Sequence, residues 1–200
     1  SVNKSPALLN HVSGVIADET KRLRFQVEKV LQMSMFDRQK TNLKLSDIPV
    51  NELVTNVVNT FTLKVEKAGG KIETSLEAED DICMIDEMHF TNVIFNLLDN
   101  AYKYARENVP LELQVSTCNV HNNKLEIRIK DNGIGIKHDD LKKIFEKFYR
   151  VPTGNLHNVK GFGLGLSYVM KIVKDHGGDI KAESDLGQGT TFVITMPLLS

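Results

Sequence analysis

The stretch KGFGLGLSYVMKIVKDHGG, residues 160–178, sets Gly161, Gly163 and Gly165 in alternation with apolar residues and runs directly into a helical pattern. Residues without a Cβ let backbone N–H groups close on an anion, and the helix behind them offers its positive N-terminus. The spacing narrows the choice of fold, because the two commonest phosphate loops do not fit it. A dinucleotide fold needs G-x-G-x-x-G after a strand, and a P-loop needs G-x-x-x-x-G-K-[ST]. This loop reads G-x-G-x-G, and no P-loop pattern occurs in the chain. A tight turn that needs small residues accounts for the glycines equally well at this point, so the rest of the chain must decide.

Charge and cysteine usage remove several classes. The 200 residues can bury a core and suggest one main domain with an appendage. With 25 basic against 26 acidic residues the net charge is -1, so no global field draws the chain to nucleic acid or to an anionic membrane surface. Partners must be recognised locally. Cys83 and Cys118 lack any zinc-ligand spacing, which fits a reducing compartment and two small buried hydrophobes. No apolar run approaches the ~18 residues of a spanning helix, and no signal-peptide core opens the chain. It reads as a cytoplasmic segment, with any membrane anchor outside it.

Over residues 6–37, Leu8, Leu9, Val12, Val15, Ile16, Leu23, Val27, Val30, Leu31 and Met35 recur with a period of about 3.5, broken by a polar patch at 18–22. This predicts one long amphipathic helix. Its stripe has no sequence-local cover, which points to packing on another long helix, such as one from a second chain. Beyond it the pattern predicts a short strand in LKLSD ended by a turn at Ile48-Pro49, then a helix over 51–68 stopped by Gly69-Gly70. A strand at 71–76, a helix over 86–105, strands near 111–117 and 124–130 and a turn in DNGIG follow. The remainder reads as a helix over 138–148, a long loop, a helix over 164–176 and strands at 179–184 and 190–196. Hairpin-like strand pairs among alternating strands and helices predict an α/β (α+β) chain with a mixed sheet and helices on one face.

Four islands carry candidate chemistry. In NVIFNLLDNAYKYA, a pitch of about 100° per residue gathers Asn96, Asn100 and Lys103 on one stripe, opposite Phe90, Ile94, Leu97, Leu98, Ala101 and Ala105. Magnesium accepts neutral carbonyl oxygens while keeping several waters, and a lysine is a point charge for phosphate. A solvated face is the plain alternative, although such faces favour Glu and Lys over two asparagines four apart. IKDNGIGI places Asp131 at a strand end. There its carboxylate can accept a hydrogen bond from an amino group, for instance on a nucleobase, while Gly133 and Gly135 let the backbone pass close. It could equally close an Asx turn. LKKIFEKFYR presents Ile144, Phe145 and Phe148 as an apolar patch suited to a core, with Arg150 beyond it where it could clamp a transferring phosphoryl group. The glycine loop is the fourth island, followed by GQGTTF, where Thr190 can add a hydroxyl to a pocket floor.

In this order, over about residues 43–197, the islands resemble the catalytic and ATP-binding domain of sensor histidine kinases, a branch of the GHKL (Bergerat-fold) ATPases. NLLDNAYKY resembles the N box, DNGIGI the first glycine box, IFEKFYR the F box, GFGLGLS the second glycine box and HGGDIKAESDLGQGTTFVITMP the closing hairpin. Chance hits to single motifs do not combine in this way. The resemblance implies a two-layer sandwich of a mixed β-sheet against helices, preceded by one long helix, with ATP beneath a lid at about residues 151–160. It implies that Asp131 bonds the adenine amino group, that Tyr104 lines or stacks on the base, and that Asn100 with Asn96 holds Mg2+. Lys103 and the backbone through Gly161, Gly163, Leu164, Gly165 and Leu166 would hold phosphates, with Gly133, Gly135 and Thr190 completing the nucleotide site. Arg150, together with Asn96 and Lys103, would act in transfer of the γ-phosphoryl, which is mostly positioning and electrostatics.

The same resemblance implies that residues 1–40 are the second helix of a dimerisation hairpin and that residues 41–200 are the kinase domain of a two-component system. Its partners would be a histidine-bearing dimerisation domain, homodimeric in the intact protein, and a response-regulator receiver domain. No nucleic acid is expected, and a membrane only through segments outside this chain, as in a membrane-bound bacterial sensor. Related ATP-driven clamps carry a water-activating glutamate where this chain has Asn96, and an amide cannot serve as that base. A neutral histidine acceptor already has a nucleophilic lone pair near pH 7 and needs none. The family's H-E-[LF]-[RK]-T-P-[LI] acceptor box is missing. His11 is followed by VSGVI and reads as an ordinary helix histidine, and His176 as a helix terminator. The expectation is a fragment that binds Mg-ATP without phosphorylating itself. Two other classes stay open: an ATP-driven clamp, which should hydrolyse ATP despite Asn96, and a nucleotide-blind module that dimerises through the N-terminal helix.

Overall fold

The computed structural model describes residues 42–151 and 163–199, which lie within a compact unit spanning Lys40–Ser200. The expected N-terminal helix, His11, Gly161 and all of the expected lid except Val151 fall outside the described residues. The elements run β1 (Ser46–Pro49), α1 (Val50–Lys67), β2 (Lys71–Leu76), β3 (Ile82–Ile85), α2 (Glu87–Lys103), β4 (Glu112–Val120) and β5 (Lys124–Asp131). The one-turn α3 (His138–Leu141), α4 (Gly165–Asp175), β6 (Asp179–Asp185) and β7 (Gly189–Pro197) follow. Five strands form a mixed sheet in the order β2-β4-β5-β7-β6, and β1 pairs with β3 in a separate ribbon. Only β2 and β4 run parallel; the other neighbours in the large sheet are antiparallel.

Periodicity explains the second layer. α1 buries Val50, Leu53, Val54, Val57, Val58, Phe61 and Val65, a stripe at three- and four-residue steps. α2 buries Phe90, Val93, Ile94, Leu97, Leu98 and Ala101 and packs on both α1 and α4. β5 alternates, with Leu125, Ile127 and Ile129 turned into the core. Each large aliphatic side chain buried in this way contributes about 1.5–3 kcal/mol, so the sheet and helices together form a stiff platform for whatever stands at the strand ends. The tight β4–β5 connection is made by Asn122 and Asn123 at φ 67 and 53, the left-handed region that asparagine tolerates better than most residues.

A buried polar latch joins α2 to α4. The Asp86 carboxylate caps α2 by accepting the N–H of His89 at 3.0 Å and also takes the Lys44 N–H at 2.8 Å. The Asp86 N–H donates to Nε2 of His176 at 2.9 Å, and Nδ1 of His176 faces the Ile172 carbonyl at 2.7 Å. A carbonyl only accepts, so this imidazole is neutral with its proton on Nδ1. His176 stands at the C-terminal boundary of α4, as expected from its place before Gly177-Gly178. Nearby, Nδ1 of His89 lies 3.0 Å from the Tyr168 hydroxyl, which burial pushes up to about 12.

Three local expectations are corrected. The helix predicted over 138–148 ends at Leu141; beyond it the chain advances in tighter turns, with N–H bonds three residues back from Lys143 to Asp140 and from Glu146 to Lys143. Phe148 then takes φ 65 and gives its N–H to the Gly163 carbonyl. The apolar spacing there serves tertiary contacts instead: Ile144 is buried and Phe145 meets Phe192 edge-on, while Phe148 is exposed. Ile48-Pro49 is not a turn but the end of β1, paired with Cys83 and Ile82. Proline fits because it occupies a strand end, where its missing N–H costs little. β3 itself was not anticipated, since four residues alternating Ile82 and Met84 outward with Cys83 and Ile85 inward give almost no periodic signal.

Candidate functional site

Two residues beyond Ile129, the inward row of β5 ends in a carboxylate. Asp131 falls on the core face and is only 7% exposed. Its Oδ1 accepts the N–H of Gly133 at 2.8 Å and that of Thr190 at 3.2 Å. Among the described residues, no donor reaches Oδ2. Burial pushes the Asp131 pKa above the ordinary carboxylate value, and the two N–H bonds only partly oppose that. This close approach of two backbones requires glycine. At Gly133 a Cβ would stand 2.5 Å from the Tyr104 carbonyl and 2.8 Å from Oδ1, and at Gly189, with φ +94, it would lie 2.0 Å from the Asp131 carbonyl oxygen.

The turn after β5 is fastened on several sides. The Ile134 N–H donates to the Tyr104 carbonyl at 3.0 Å, the Gly187 N–H to the Ile134 carbonyl at 2.7 Å, and the Ile136 N–H to Oγ of Ser184 at 2.9 Å. Arg106 donates from Nε to the Asn132 carbonyl at 2.7 Å and from a terminal nitrogen to the Gly187 carbonyl at 3.3 Å. The Asn132 side chain accepts the Glu112 N–H and donates to the Pro110 carbonyl, both at 3.0 Å.

Together these segments wall a cleft of about 630 Å3, its open mouth included. Ala101, Ile134, Ile136, Ile144, Leu166 and Phe192 make it largely apolar, Tyr149 and Val151 stand at its wall, and Asn100, Tyr104, Asp131 and Thr190 supply polar atoms. An apolar slot ending in a few fixed polar groups suits a flat heteroaromatic ligand. Of the residues singled out from sequence, Asn100, Tyr104, Asp131, Gly135, Leu166 and Thr190 line it, with Gly133 directly behind Asp131.

Asn96, Lys103, Arg150, Gly163, Leu164 and Gly165 do not line that cleft. Asn96 faces α4, since a Cβ on Gly165 would lie 3.1 Å from its Oδ1, while its Nδ2 donates to the Asn92 carbonyl at 2.7 Å. Leu164 packs into the core, and Gly163, at φ +70, meets the backbone of Phe148 and Tyr149. Arg150 is exposed, next in sequence to the wall residues Tyr149 and Val151. Lys103 is ion-paired with Asp99, which also holds Lys64 at 3.0 Å. Burial works against ionising Asp99, yet hydrogen bonds from the two lysines hold its carboxyl below the usual range. Helical pitch predicted the shared stripe but not the competing acid one turn away.

Sequence reasoning missed Phe192, Tyr149, Gly189, Ser184 and Arg106. The alternation of Thr190, Phe192 and Ile194 in β7 was a usable signal for Phe192. Tyr149 owes its place to its hydroxyl, which donates to Asp140 at 2.6 Å and is pushed up to about 12 by that bond. Arg106 and Ser184 act through backbone carbonyls and N–H groups that no side-chain pattern announces.

Comparison with known proteins bears on this geometry. A family described as histidine kinase-, DNA gyrase B- and HSP90-like ATPase matches residues 85–200. The chain is 63% identical over 199 residues to the sensor protein RprX of Bacteroides fragilis (strain YCH46), covering all of this chain and 38% of that protein. It is 33% identical over 183 residues to the sensor histidine kinase WalK of Bacillus subtilis (strain 168), covering 92% of this chain and 30% of that one. It thus spans well under half the length of these relatives. Full-length ShkA in complex with AMPPNP shares the fold, with a TM-score of 0.83 at 20% identity over 98% of this chain and 40% of ShkA. The mixed sheet backed by helices, the glycine turn behind Asp131 and the matched span agree: the chain belongs to the histidine kinase-, DNA gyrase B- and HSP90-like ATPase family, and within it resembles the sensor histidine kinases.

Proposed function

We propose that the cleft binds Mg-ATP and that the domain transfers the γ-phosphoryl of ATP to a histidine on a dimerisation domain, for relay to an aspartate of a response-regulator receiver. The observation that carries this reading is the Asp131 carboxylate, buried at the end of an apolar slot with Oδ2 lacking a donor among the described residues. A buried acceptor left unpaired is costly, and an exocyclic amine on a flat base would satisfy it. Tyr104, Ile134 and Phe192 would then flank the ring.

The phosphates would extend toward the α2 and α4 side. Asn100 and Asn96 can offer carbonyl oxygens to Mg2+, and no cluster of three or more His, Cys, Asp or Glu among the described residues competes as an all-protein cage. Such a donor set suits a magnesium ion shared with phosphates and water. The backbone at Gly161, Gly163, Leu164, Gly165 and Leu166 would meet phosphate oxygens at the start of α4, with Lys103 exchanging Asp99 for a phosphate and Arg150 stabilising the transferring group. Bound Mg-ATP supplies the phosphoryl group, and its metal offsets the charge on the phosphate oxygens. Asn96 provides no strong base for water, which favours a histidine nucleophile over hydrolysis. No helix among the described residues is long and apolar enough to cross a membrane; we place the domain on the cytoplasmic side of a membrane-bound sensor.

Calorimetric titration with ATP, with and without magnesium, tests the reading. One-site binding is expected for the wild-type chain, weakened roughly 10- to 100-fold by Asp131→Ala, the span of a hydrogen bond to a charged group. The isolated chain should gain no phosphohistidine, whereas a histidine-bearing dimerisation hairpin added in trans should. A folded wild-type chain that binds no ATP would sink the proposal.

A further inference from the structure

Ser184, near the end of β6, is engaged on all sides through one hydroxyl. Its Oγ lies 2.9 Å from the Ile136 N, 2.6 Å from the Gly189 carbonyl oxygen and 3.0 Å from Oγ1 of Thr190. A serine hydroxyl has one proton and two lone pairs. The proton must go to Gly189, because a carbonyl can only accept. One lone pair takes the Ile136 N–H, which leaves the second for Thr190, so the threonine hydroxyl donates to Ser184. Thr190 lines the cleft and is 7% exposed. With its proton committed to Ser184, it can offer the cleft lone pairs only. Beside it, among the described residues, Asp131 takes its two N–H bonds on Oδ1 and keeps Oδ2 as an open acceptor.

We propose that Ser184 is a specificity-determining positioning residue. By drawing the Thr190 proton away from the cleft it makes the polar end of the slot accept only, so that a purine with an amino group at C6 is taken and one with a carbonyl at C6 is refused. The inference rests on the nucleotide reading above and goes beyond it in assigning the selectivity to a side chain outside the cleft wall. Its force comes from the asymmetry of buried hydrogen bonding: a carbonyl set against acceptors leaves both sides unpaired.

The test is titration of wild type, Ser184→Ala, Ser184→Thr, Thr190→Val and the double variant Ser184→Ala/Thr190→Val with ATP and with inosine triphosphate, its 6-oxo analogue. Wild type should bind ATP at least 100-fold more tightly. In Ser184→Ala the Thr190 hydroxyl loses its acceptor and is free to donate into the cleft, so the preference for ATP should fall about tenfold, the worth of one hydrogen bond. Ser184→Thr keeps the hydroxyl and should keep the preference. Once Thr190 is valine, replacing Ser184 should no longer change the ratio. Equal weakening of both nucleotides in Ser184→Ala would overturn the inference. Thr190→Val offers a check that does not depend on Ser184 substitution: it should weaken ATP while leaving the inosine nucleotide no weaker, and selective loss of the inosine nucleotide would show that the threonine had been donating into the cleft. If wild type binds neither nucleotide, the nucleotide reading itself fails; if it binds ATP and the ratio is unmoved in every variant, only the role of Ser184 does.

Discussion

At the sheet end of the cleft, Asp131, Gly133, Ile136, Ser184 and Thr190 are linked by hydrogen bonds across β5, β6 and β7, and every bond helps to hold the slot open in one shape. At the end toward α2 and α4, the matching residues are bonded elsewhere: Asn96 to the Asn92 carbonyl and Lys103 to Asp99. The difference follows from where the two sets stand. Strand ends are positioned by ladder hydrogen bonds on both sides, so a group there can be oriented by backbone alone. Residues on a helix face have only their own turns behind them, and an ammonium or amide on such a face takes whatever partner its helix offers. On the nucleotide reading proposed above, the end that would take the base is preorganised, while the end that would take the phosphates would have to exchange partners on binding a triphosphate, and that exchange would draw on the binding energy.

The largest effect should come from breaking the stiff end through its backbone. Gly189→Ala forces a Cβ to within 2.0 Å of the Asp131 carbonyl at φ +94 and should cost about 3 kcal/mol or more in urea unfolding. Gly187→Ala has a similar φ of +80 but meets nothing within 4 Å, so it should cost only about 1–2 kcal/mol. Equal losses in the two variants would mean that the contact with Asp131 is relieved by a small shift and that the end is softer than its hydrogen bonds suggest.

Ligand truncation separates the two ends more directly. Asp131→Asn replaces an acceptor-only carboxylate by an amide and should weaken adenosine and ATP alike, by roughly 10-fold or more. Lys103→Met should leave adenosine unchanged and weaken ATP about tenfold, less than a free ammonium would give, because breaking the pair with Asp99 offsets part of the gain. A Lys103 variant that loses adenosine as well would place the lysine at the base end and contradict the geometry.

How far each end could be read from sequence tracks the same contrast. Asp131 was legible because a strict inward row, Leu125, Ile127, Ile129, runs into it and a glycine turn follows. Helical pitch put Asn96 and Asn100 on one stripe, of which only Asn100 lines the cleft, and the order of the motifs pointed to the family that the comparisons show. The short helix at His138–Leu141 was overextended, since Ile144 and Phe145 repeat as a helix would but are held by contacts with other segments. The pairing of Lys103 with Asp99 was illegible for a different reason: pitch tells which residues share a face, not which of several charges on it will find one another. Arg106 and Ser184 could not be found at all, because their partners, main-chain atoms and for Ser184 also the Thr190 hydroxyl, are brought near only by the sheet.

Arg106 supplies a smaller perturbation of the stiff end. It is bonded to the Asn132 and Gly187 carbonyls, the second bond long and exposed, so Arg106→Ala should cost about 1–2 kcal/mol of stability and weaken adenosine and ATP by the same few-fold factor. Arg106→Lys recovers one bond at most and should fall between. If the loss appeared for ATP alone, the guanidinium would be acting on phosphate and not on the turn.

The smallest expected effect is on the latch that ties together the helices of the softer end. His176 is buried and neutral, with Nε2 accepting from the Asp86 N–H, and its burial lowers the pKa below 6.5. The charged and titratable groups about it are the Asp86 and Asp175 carboxylates and the His89 ring. In the unfolded chain the imidazole takes its proton near pH 6.5, whereas in the fold it does so only at lower pH. Between those values the unfolded state binds more protons, so stability is full above about pH 6.5 and falls as the pH drops toward the folded value, by at most about 1.4 kcal/mol per pH unit from this one group. Burial disfavours the charge on Asp86 too, but the N–H bonds from His89 and Lys44 prevail and hold its carboxyl below the ordinary range, so its share is lost only at still lower pH. Urea midpoints from pH 7.5 to 5.5 should therefore decline for the wild type and stay nearly level for His176→Phe, which starts lower. Amide exchange over the same range should quicken at the start of α2 and the end of α4 while β5 and β7 keep their protection. Protection lost from those strands in step would mean that the two ends of the cleft open together, and that the contrast between them belongs to their hydrogen bonds but not to their motions.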